Sequence, residues 1–222
     1  MEKVFRYFRS SIGTKQCMGI AGLLLCAFVI VHLGGNLLLF AGPDTFNGYA
    51  HALESKMVLL IPVELVLLGI FLVHMLAALK QALKNWSARG WQRYQGPKPI
   101  EPKYWPSSLM GYTGILILIF LIIHLLDFKF APKHGGQGEL RLYQLVVSHF
   151  SQLSHVLLYV FFMAVLGVHL FHGFQSAFLT LGLDHPKFTP WIRRIGYVYA
   201  ILMALGFTVI PLYAYIYGGG IS

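Results

Sequence analysis

The sequence predicts an all-α integral membrane protein with five transmembrane helices, organised as one bundle over residues 1–222. Of the 222 residues, 57% are hydrophobic and 11% are charged, whereas about a quarter of an average soluble domain is charged. Five apolar segments also reach the roughly 20 residues that a helix needs to cross a bilayer. The predicted segments are about Cys17–Ala41, Met57–Leu83, Ser107–Phe128, Leu153–Leu181 and Ile195–Tyr217.

The positive charge of the chain indicates how these helices are oriented. In a soluble protein a net charge of +9 would suggest nucleic acid, but here the basic residues concentrate on one side of the membrane, and no nucleic-acid partner is expected. The N-terminal segment and the connections 80–103 and 184–194 hold thirteen of the seventeen Lys and Arg residues. The positive-inside rule therefore predicts a cytoplasmic N-terminus and an outer C-terminus.

The cysteines argue against several redox centres. Cys17 and Cys26 are nine helical residues apart, roughly 13 Å, which is too far for a disulfide. The sequence contains no CxxC and no CxxCH motif, so iron–sulfur clusters and covalently attached c-type haem are not supported.

A repeat within the first and third segments points to the function. The string MGIAGLLLCAFVIVHL (18–33) is echoed by MGYTGILILIFLIIHL (110–125), and each copy places one imidazole, His32 or His124, inside hydrocarbon. A histidine at that depth is costly and normally faces the bundle interior, where it has a partner or a ligand. The second and fourth segments carry His74 and His169 in the similar strings LVHML and GVHLF.

These four histidines are expected to form two layers. Each lies a few residues past the middle of its helix, and successive helices run in opposite directions. His32 and His124 are therefore expected toward the outer face and His74 and His169 toward the cytoplasm, with the layers ~10 Å apart. Two bis-histidine sites stacked across the membrane are predicted.

The ligand set favours haem over zinc. Zinc prefers four ligands, or three and a water, whereas two imidazoles without a nearby carboxylate suit low-spin haem iron, and two non-covalent haems b are predicted. Gly22 and Gly114 each precede a ligand by ten residues, so they would give room where these helices pass the inner haem. Packing alone also explains such glycines.

The sequence contains six other histidines. His172 lies one turn from His169 and could replace it as the fourth ligand, and buried structural histidines without any ligand are the simpler alternative. Five further histidines are interpreted as ordinary residues of loops or helix ends: His51, His134, His149, His155 and His185.

Four stretches resemble one known family. TGILILIFLIIH (113–124), FNGYAH (46–51), VHLGGN (31–36) and GFQSAFLTLG (173–182) are similar to stretches of the membrane-anchor cytochrome b of succinate dehydrogenases and fumarate reductases, in the branch with a single five-helix chain and two haems. The resemblance implies that His32 pairs with His124 and His74 with His169. A family glycine four residues after the last ligand matches Gly173 and favours His169 over His172.

The resemblance also implies partners. It predicts a flavoprotein subunit with covalent FAD, an iron–sulfur subunit, a quinone that is menaquinone by analogy, and a dimer of the resulting heterotrimer as one assembly. It implies a bacterial cytoplasmic (inner) membrane and a role in anaerobic respiration or the tricarboxylic acid cycle. Some fumarate reductases carry a glutamate, proposed to move protons, two residues before the fourth ligand. Here that residue is Gly167.

Acidic residues suggest where quinone reacts. Glu64 precedes His74 by ten residues and is expected near the outer haem, well inside its span, where its carboxyl could accept a quinol proton. Glu54, before the second helix, is the rival. The predicted function is electron transfer between a quinone near the outer haem and the cytoplasmic iron–sulfur subunit. The alternatives are the dihaem anchor of a hydrogenase or formate dehydrogenase and, in another class, a histidine-dependent transporter.

Overall fold

The computed structural model describes residues 2, 6–7, 10–89, 105–131 and 142–218, and the regular secondary structure in these ranges is entirely helical. Helix α1 (Ser11–Leu37) continues into a 3-10 turn (Leu38–Ala41) and α4 (Trp105–His124) into a π-helical turn (Leu125–Lys129). The other helices are α2 (Pro43–Glu54), α3 (Met57–Arg89), α5 (Leu142–His149), α6 (Leu153–Thr180) and α7 (Thr189–Gly218).

The five expected membrane spans are confirmed as helices. The structure has five helices that are long and apolar enough to cross a membrane, at Ser11–Ala41, Met57–Asn85, Leu109–Lys129, Leu153–Thr180 and Thr189–Gly218. Every observed span starts within six residues of its predicted start and ends within two residues of its predicted end. This agreement is expected when length and apolar content define the helix. The chain is thus an all-α, multi-pass membrane protein by length and composition.

Two short helices, α2 and α5, meet at one end of the bundle, which we call the capped end. Helix α2 begins with Pro43 at its first position, after Gly42 at a φ of 93°, a conformation that glycine adopts without strain. Asn47 of α2 accepts a hydrogen bond from the backbone N–H of Tyr143 in α5 (3.0 Å), and the rings of Phe46 and Tyr143 meet edge to face. The FNGYAH string is therefore helical and joins α2 to α5.

The opposite end, the basic end, contains the start of α1, the Lys80–Lys84 turn of α3 and the 184–194 connection. Ser10 caps α1 by accepting a hydrogen bond from the N–H of Gly13. The ammonium groups of Lys80 and Lys84 donate to hydroxyls of α1, those of Thr14 and Ser11. Residues 90–104, which follow α3, lie outside the described residues.

The core of the bundle lies between α1, α6 and α7. It is built from buried side chains such as Leu33 of α1, Val156 and Leu170 of α6, and Ala200 and Met203 of α7. The Tyr199 hydroxyl of α7 donates to the carbonyl of Cys26 in α1 (2.9 Å). Helix α3 packs mainly against α1, and no residue of its most apolar window is buried, so most of its surface suits lipid contact.

The close approach of α1 and α2 allows a test with two adjacent glycines. A Cβ at Gly35 would lie 2.7 Å from the Tyr49 hydroxyl oxygen of α2, whereas a Cβ at Gly34 would have no atom within 4 Å. We expect Gly35→Ala to lower the unfolding free energy by about 1–3 kcal/mol through overpacking, and Gly34→Ala to leave it unchanged or raise it slightly. Thermal unfolding in detergent measures both. Equal midpoints for the two variants would contradict this packing.

Candidate functional site: two histidine pairs

The four intramembrane histidines meet as two pairs. The His32 ring of α1 faces the His124 ring of α4 with centroids 5.7 Å apart and planes at 87°. The His74 ring of α3 faces the His169 ring of α6 with centroids 6.5 Å apart and planes at 76°. We call these the first pair and the second pair. The structure thus brings first-segment and third-segment histidines together, and likewise those of the second and fourth segments.

Two glycines place the pairs at different levels of the bundle. A Cβ at Gly22 of α1 would lie 3.1 Å from Cε1 of His74, and a Cβ at Gly114 of α4 would lie 3.8 Å from Cε1 of His169. The second pair is therefore level with residues 22 and 114, ten residues before the histidines of the first pair. Ten helical residues span about 15 Å, which exceeds the ~10 Å expected from the sequence.

The closeness of the His74 and His169 rings gives these two glycines a different role from the expected one. They were expected to give room to a haem, and in the structure the imidazole rings of the second pair occupy the space beside them. At 3.1 Å a Cβ at position 22 would press on the His74 ring. Gly22 therefore lets α1 pass close to the ring of His74, and Gly114 does the same more loosely for His169.

Hydrogen bonds orient both rings of the second pair. Nδ1 of His74 lies 3.0 Å from the carbonyl oxygen of Met18, so Nδ1 carries the proton and donates. Nδ1 of His169 lies 3.1 Å from Oγ1 of Thr113. The Thr113 hydroxyl is also within reach of the carbonyls of Leu109 and Met110, so it donates to one of them and accepts from His169. A neutral imidazole then keeps its lone pair on Nε2 in both rings.

The first pair lies among aromatic rings. Phe28 stacks on His32 at 5.3 Å and Phe207 of α7 lies at 5.8 Å, while Phe120 lies 5.6 Å from His124. Nδ1 of His124 is buried and has no hydrogen-bond partner among the described residues. A buried nitrogen without a partner costs about 1–3 kcal/mol, so this pair contains an unsatisfied polar group that a ligand could relieve.

The spacing of the pairs fits a single metal ion held from two sides. Two metal–nitrogen bonds of about 2 Å, with about 1 Å from each nitrogen to its ring centre, put the centroids about 6 Å apart. Such a bond lies in the plane of its ring and leaves rotation about it free, so perpendicular planes are compatible. Across the described ranges no three His, Cys, Asp or Glu side chains cluster to hold a metal. Each pair offers two imidazole nitrogens to one metal ion.

The structure distinguishes between the two candidates for the fourth ligand. His169 faces His74, and a Cβ at Gly173 would lie 3.6 Å from Cε of Met110 in α4. His172 lies on the next turn, and its buried Nδ1 has no hydrogen-bond partner in the described part of the chain. The position opposite His74 is therefore taken by His169.

Glu64 lies at the surface of the bundle. Its side chain is 41% exposed and forms an ion pair with Lys129, the last residue of the π-helical turn after α4. The physical reason is that α3 packs mainly against α1, and Glu64 lies off that packed face. The depth of Glu64 along the bundle is as expected, because its ion-pair partner Lys129 is only five residues beyond His124. The rival Glu54 is exposed at the end of α2, on the capped end.

The structure also shows a polar cluster that the sequence analysis missed. Asp127 accepts a hydrogen bond from the Tyr159 hydroxyl (2.6 Å), and Nε2 of His149 lies 3.3 Å from the same carboxylate oxygen. The ring of His155 stacks on that of His149 at 4.3 Å. His149 and His155 were interpreted as ordinary residues, yet they lie together beside the first pair. An aspartate at the end of a membrane span, in the string HLLDF, is the signal that could have indicated the cluster.

Comparisons with known proteins leave the family resemblance as a prediction. No protein-family model matches the chain, no curated protein matches it, and no solved structure matches it. The geometry of the two histidine pairs and the motifs around them are therefore the features that indicate function.

Proposed function

We propose that this chain is the membrane anchor and dihaem cytochrome b subunit of a succinate:quinone oxidoreductase or quinol:fumarate reductase. One observation carries the proposal. The chain contains two pairs of imidazole rings, and the ring spacing within each pair would let both rings bind one metal ion. The two pairs lie about 15 Å apart along the helices. One such pair would serve many roles. Two at different depths suit electron movement across a membrane.

The residues around the pairs support this role. When bound, a haem at each pair would supply one-electron transfer. The Met18 carbonyl and the Thr113 hydroxyl fix the rings of the second pair so that Nε2 faces a ligand, as outer-shell partners of metal-bound histidines do. Around the first pair, Phe28, Phe120 and Phe207 exclude water.

The two ends of the bundle receive different partners in this proposal. The basic end is cytoplasmic and binds the iron–sulfur subunit, which in turn carries the flavoprotein with covalent FAD. The capped end lies outside, where quinone, proposed to be menaquinone, reacts near His32 and His124. The membrane is the bacterial inner membrane. Glu64 and Glu54, both toward the capped end, remain candidates for accepting a quinol proton.

Haem content tests the proposal directly. We expect two non-covalent haems b per purified chain in a pyridine haemochrome assay, both extractable by acid acetone. His74→Ala or His169→Ala should remove one haem, and His32→Ala or His124→Ala the other. His185→Ala, an exposed histidine of the basic end, is the matched control and should keep both. One haem or none in the intact chain would refute the proposal, and the absence of haem would favour a transporter.

Thr113 tests the orientation of His169. Thr113→Val keeps the shape of the side chain but removes the acceptor for Nδ1 of His169. Loss of such a partner typically weakens a metal site about 10- to 100-fold, so we expect faster haem loss from the second pair to apomyoglobin. Thr113→Ser should behave like the wild type. Equal rates for the valine variant and the wild type would show that this hydrogen bond does not support a ligand.

Crosslinking in the native complex tests which end binds the iron–sulfur subunit. A photoreactive residue in place of Lys187, exposed at the basic end, should attach to that subunit, because the end nearest the second pair is proposed to face the cytoplasm. The same residue in place of Ser151, exposed at the capped end, should not. The reverse pattern would invert the proposed orientation.

A further inference from the structure

The polar cluster at the capped end is not needed to hold either histidine pair. Its members come from three elements: Asp127 from the π-helical turn, His149 from the end of α5, and His155 and Tyr159 from the start of α6. Asp127 and His149 have side chains only 23% and 13% exposed. Burying a carboxylate and an imidazole together is costly unless they are paired, and π-helical turns occur frequently at functional sites.

The cluster adjoins the first pair. The rings of Phe128 and Tyr159 each contact both His124, at 5.4 and 6.2 Å, and His149, at 5.1 and 5.7 Å. These two aromatic rings therefore bridge the two histidines. Asp127, which accepts the Tyr159 hydroxyl, and His149 thus lie beside the capped side of the first pair.

The cluster also reaches the surface. His155 is only partly buried, and its Nδ1 donates to the carbonyl of His149 (2.9 Å), which fixes the stacked ring. Ser148, Ser151 and Ser154 around it are exposed. A proton held between Asp127 and His149 is thus one short step from water at the capped end, whereas the second pair lies about 15 Å deeper.

We propose that Asp127 and His149 form the proton-exchange site of the quinone reaction, with Tyr159 as the positioning residue that fixes Asp127. This deepens the proposed function and rests on it. In the oxidising direction a quinol loses two electrons and two protons and becomes a quinone. A haem, when bound by His32 and His124, would accept the electrons one at a time. Each proton passes from a quinol hydroxyl to the Asp127 carboxylate, then to Nε2 of His149, and leaves to water.

The geometry assigns distinct roles to the two groups. Oδ2 of Asp127 accepts from Tyr159 and lies 3.3 Å from His149, without the alignment of a formed hydrogen bond. A carboxylate so placed can accept a proton, and a small movement of the His149 ring then allows its transfer. Proton transfer by a positioned side chain typically contributes about 10²–10⁴-fold to a rate.

Other charged and titratable groups near the cluster also act on it. Burial lowers the pKa of His149, the Asp127 carboxylate raises it, and His155 lowers it. His124 lies on the membrane side, and the Lys129–Glu64 ion pair flanks the π-helical turn. The net direction is downward, so His149 is neutral at neutral pH and able to receive a proton from Asp127.

The coupling is tested first by NMR on the full chain labelled at its histidines, with His149→Gln assigning the His149 signal. Asp127→Asn keeps an acceptor for Tyr159 but removes the negative charge that favours imidazolium. The pKa of His149 should therefore fall further in this variant and stay unchanged in the control Asp44→Asn, an exposed aspartate of α2. An unchanged or higher pKa in Asp127→Asn would overturn the proposal.

The proton step is tested second in the native complex reconstituted in liposomes, with 2,3-dimethyl-1,4-naphthoquinol as the substrate and a pH-sensitive dye. Proton release and quinol oxidation should fall about 100-fold in Asp127→Asn, fall less in Tyr159→Phe, and remain normal in Asp44→Asn. Normal rates in Asp127→Asn with loss in Glu64→Gln would overturn the proposal and assign the proton to Glu64. Haem content of each variant separates this failure from failure of the proposed function, since a wild-type chain without haem refutes both.

Discussion

The cost of an imidazole in hydrocarbon is the constraint on which the bundle depends. Water cannot satisfy a ring nitrogen at that depth, so each of the four histidines must face another group of the chain or a ligand. The chain meets this requirement by turning the rings toward one another across helices, at 5.7 and 6.5 Å. Every helix that carries a histidine must then present it inward, which fixes the rotation of α1, α3, α4 and α6.

That requirement explains the small and polar residues around the second pair. Gly22 and Gly114 stand where a ring from another helix arrives, and a larger side chain at position 22 would press on His74. The Met18 carbonyl and the Thr113 hydroxyl accept hydrogen bonds from the ring N–H groups of His74 and His169, which lipid could not do. The repeated string in α1 and α4 therefore has a physical reason. In each copy, the glycine ten residues before a histidine lies beside a histidine of the other pair.

Much of the fold followed from composition and periodicity, because membrane spans are defined by length and apolar content. The five spans and the pairing of the four histidines could be anticipated from depth alone. Helix α2 could not, since FNGYAH is stabilised by Asn47 and Phe46 meeting Tyr143, nearly a hundred residues away. The Asp127–His149 cluster was missed for the same reason. The side of α3 that carries Glu64 could not be predicted either, because depth in a span does not indicate which face of a helix packs.

The uneven attachment of α3 has a consequence for assembly. The first pair joins α1 to α4, and each of these helices packs against α6, so its two rings are aligned by a folded core. The second pair depends on α3, which is held mainly by α1 and by the lysine contacts of the basic end. The two pairs therefore depend on different contacts. The first pair needs only the packed core, whereas the second also needs the packing of α3, the most peripheral helix, against α1.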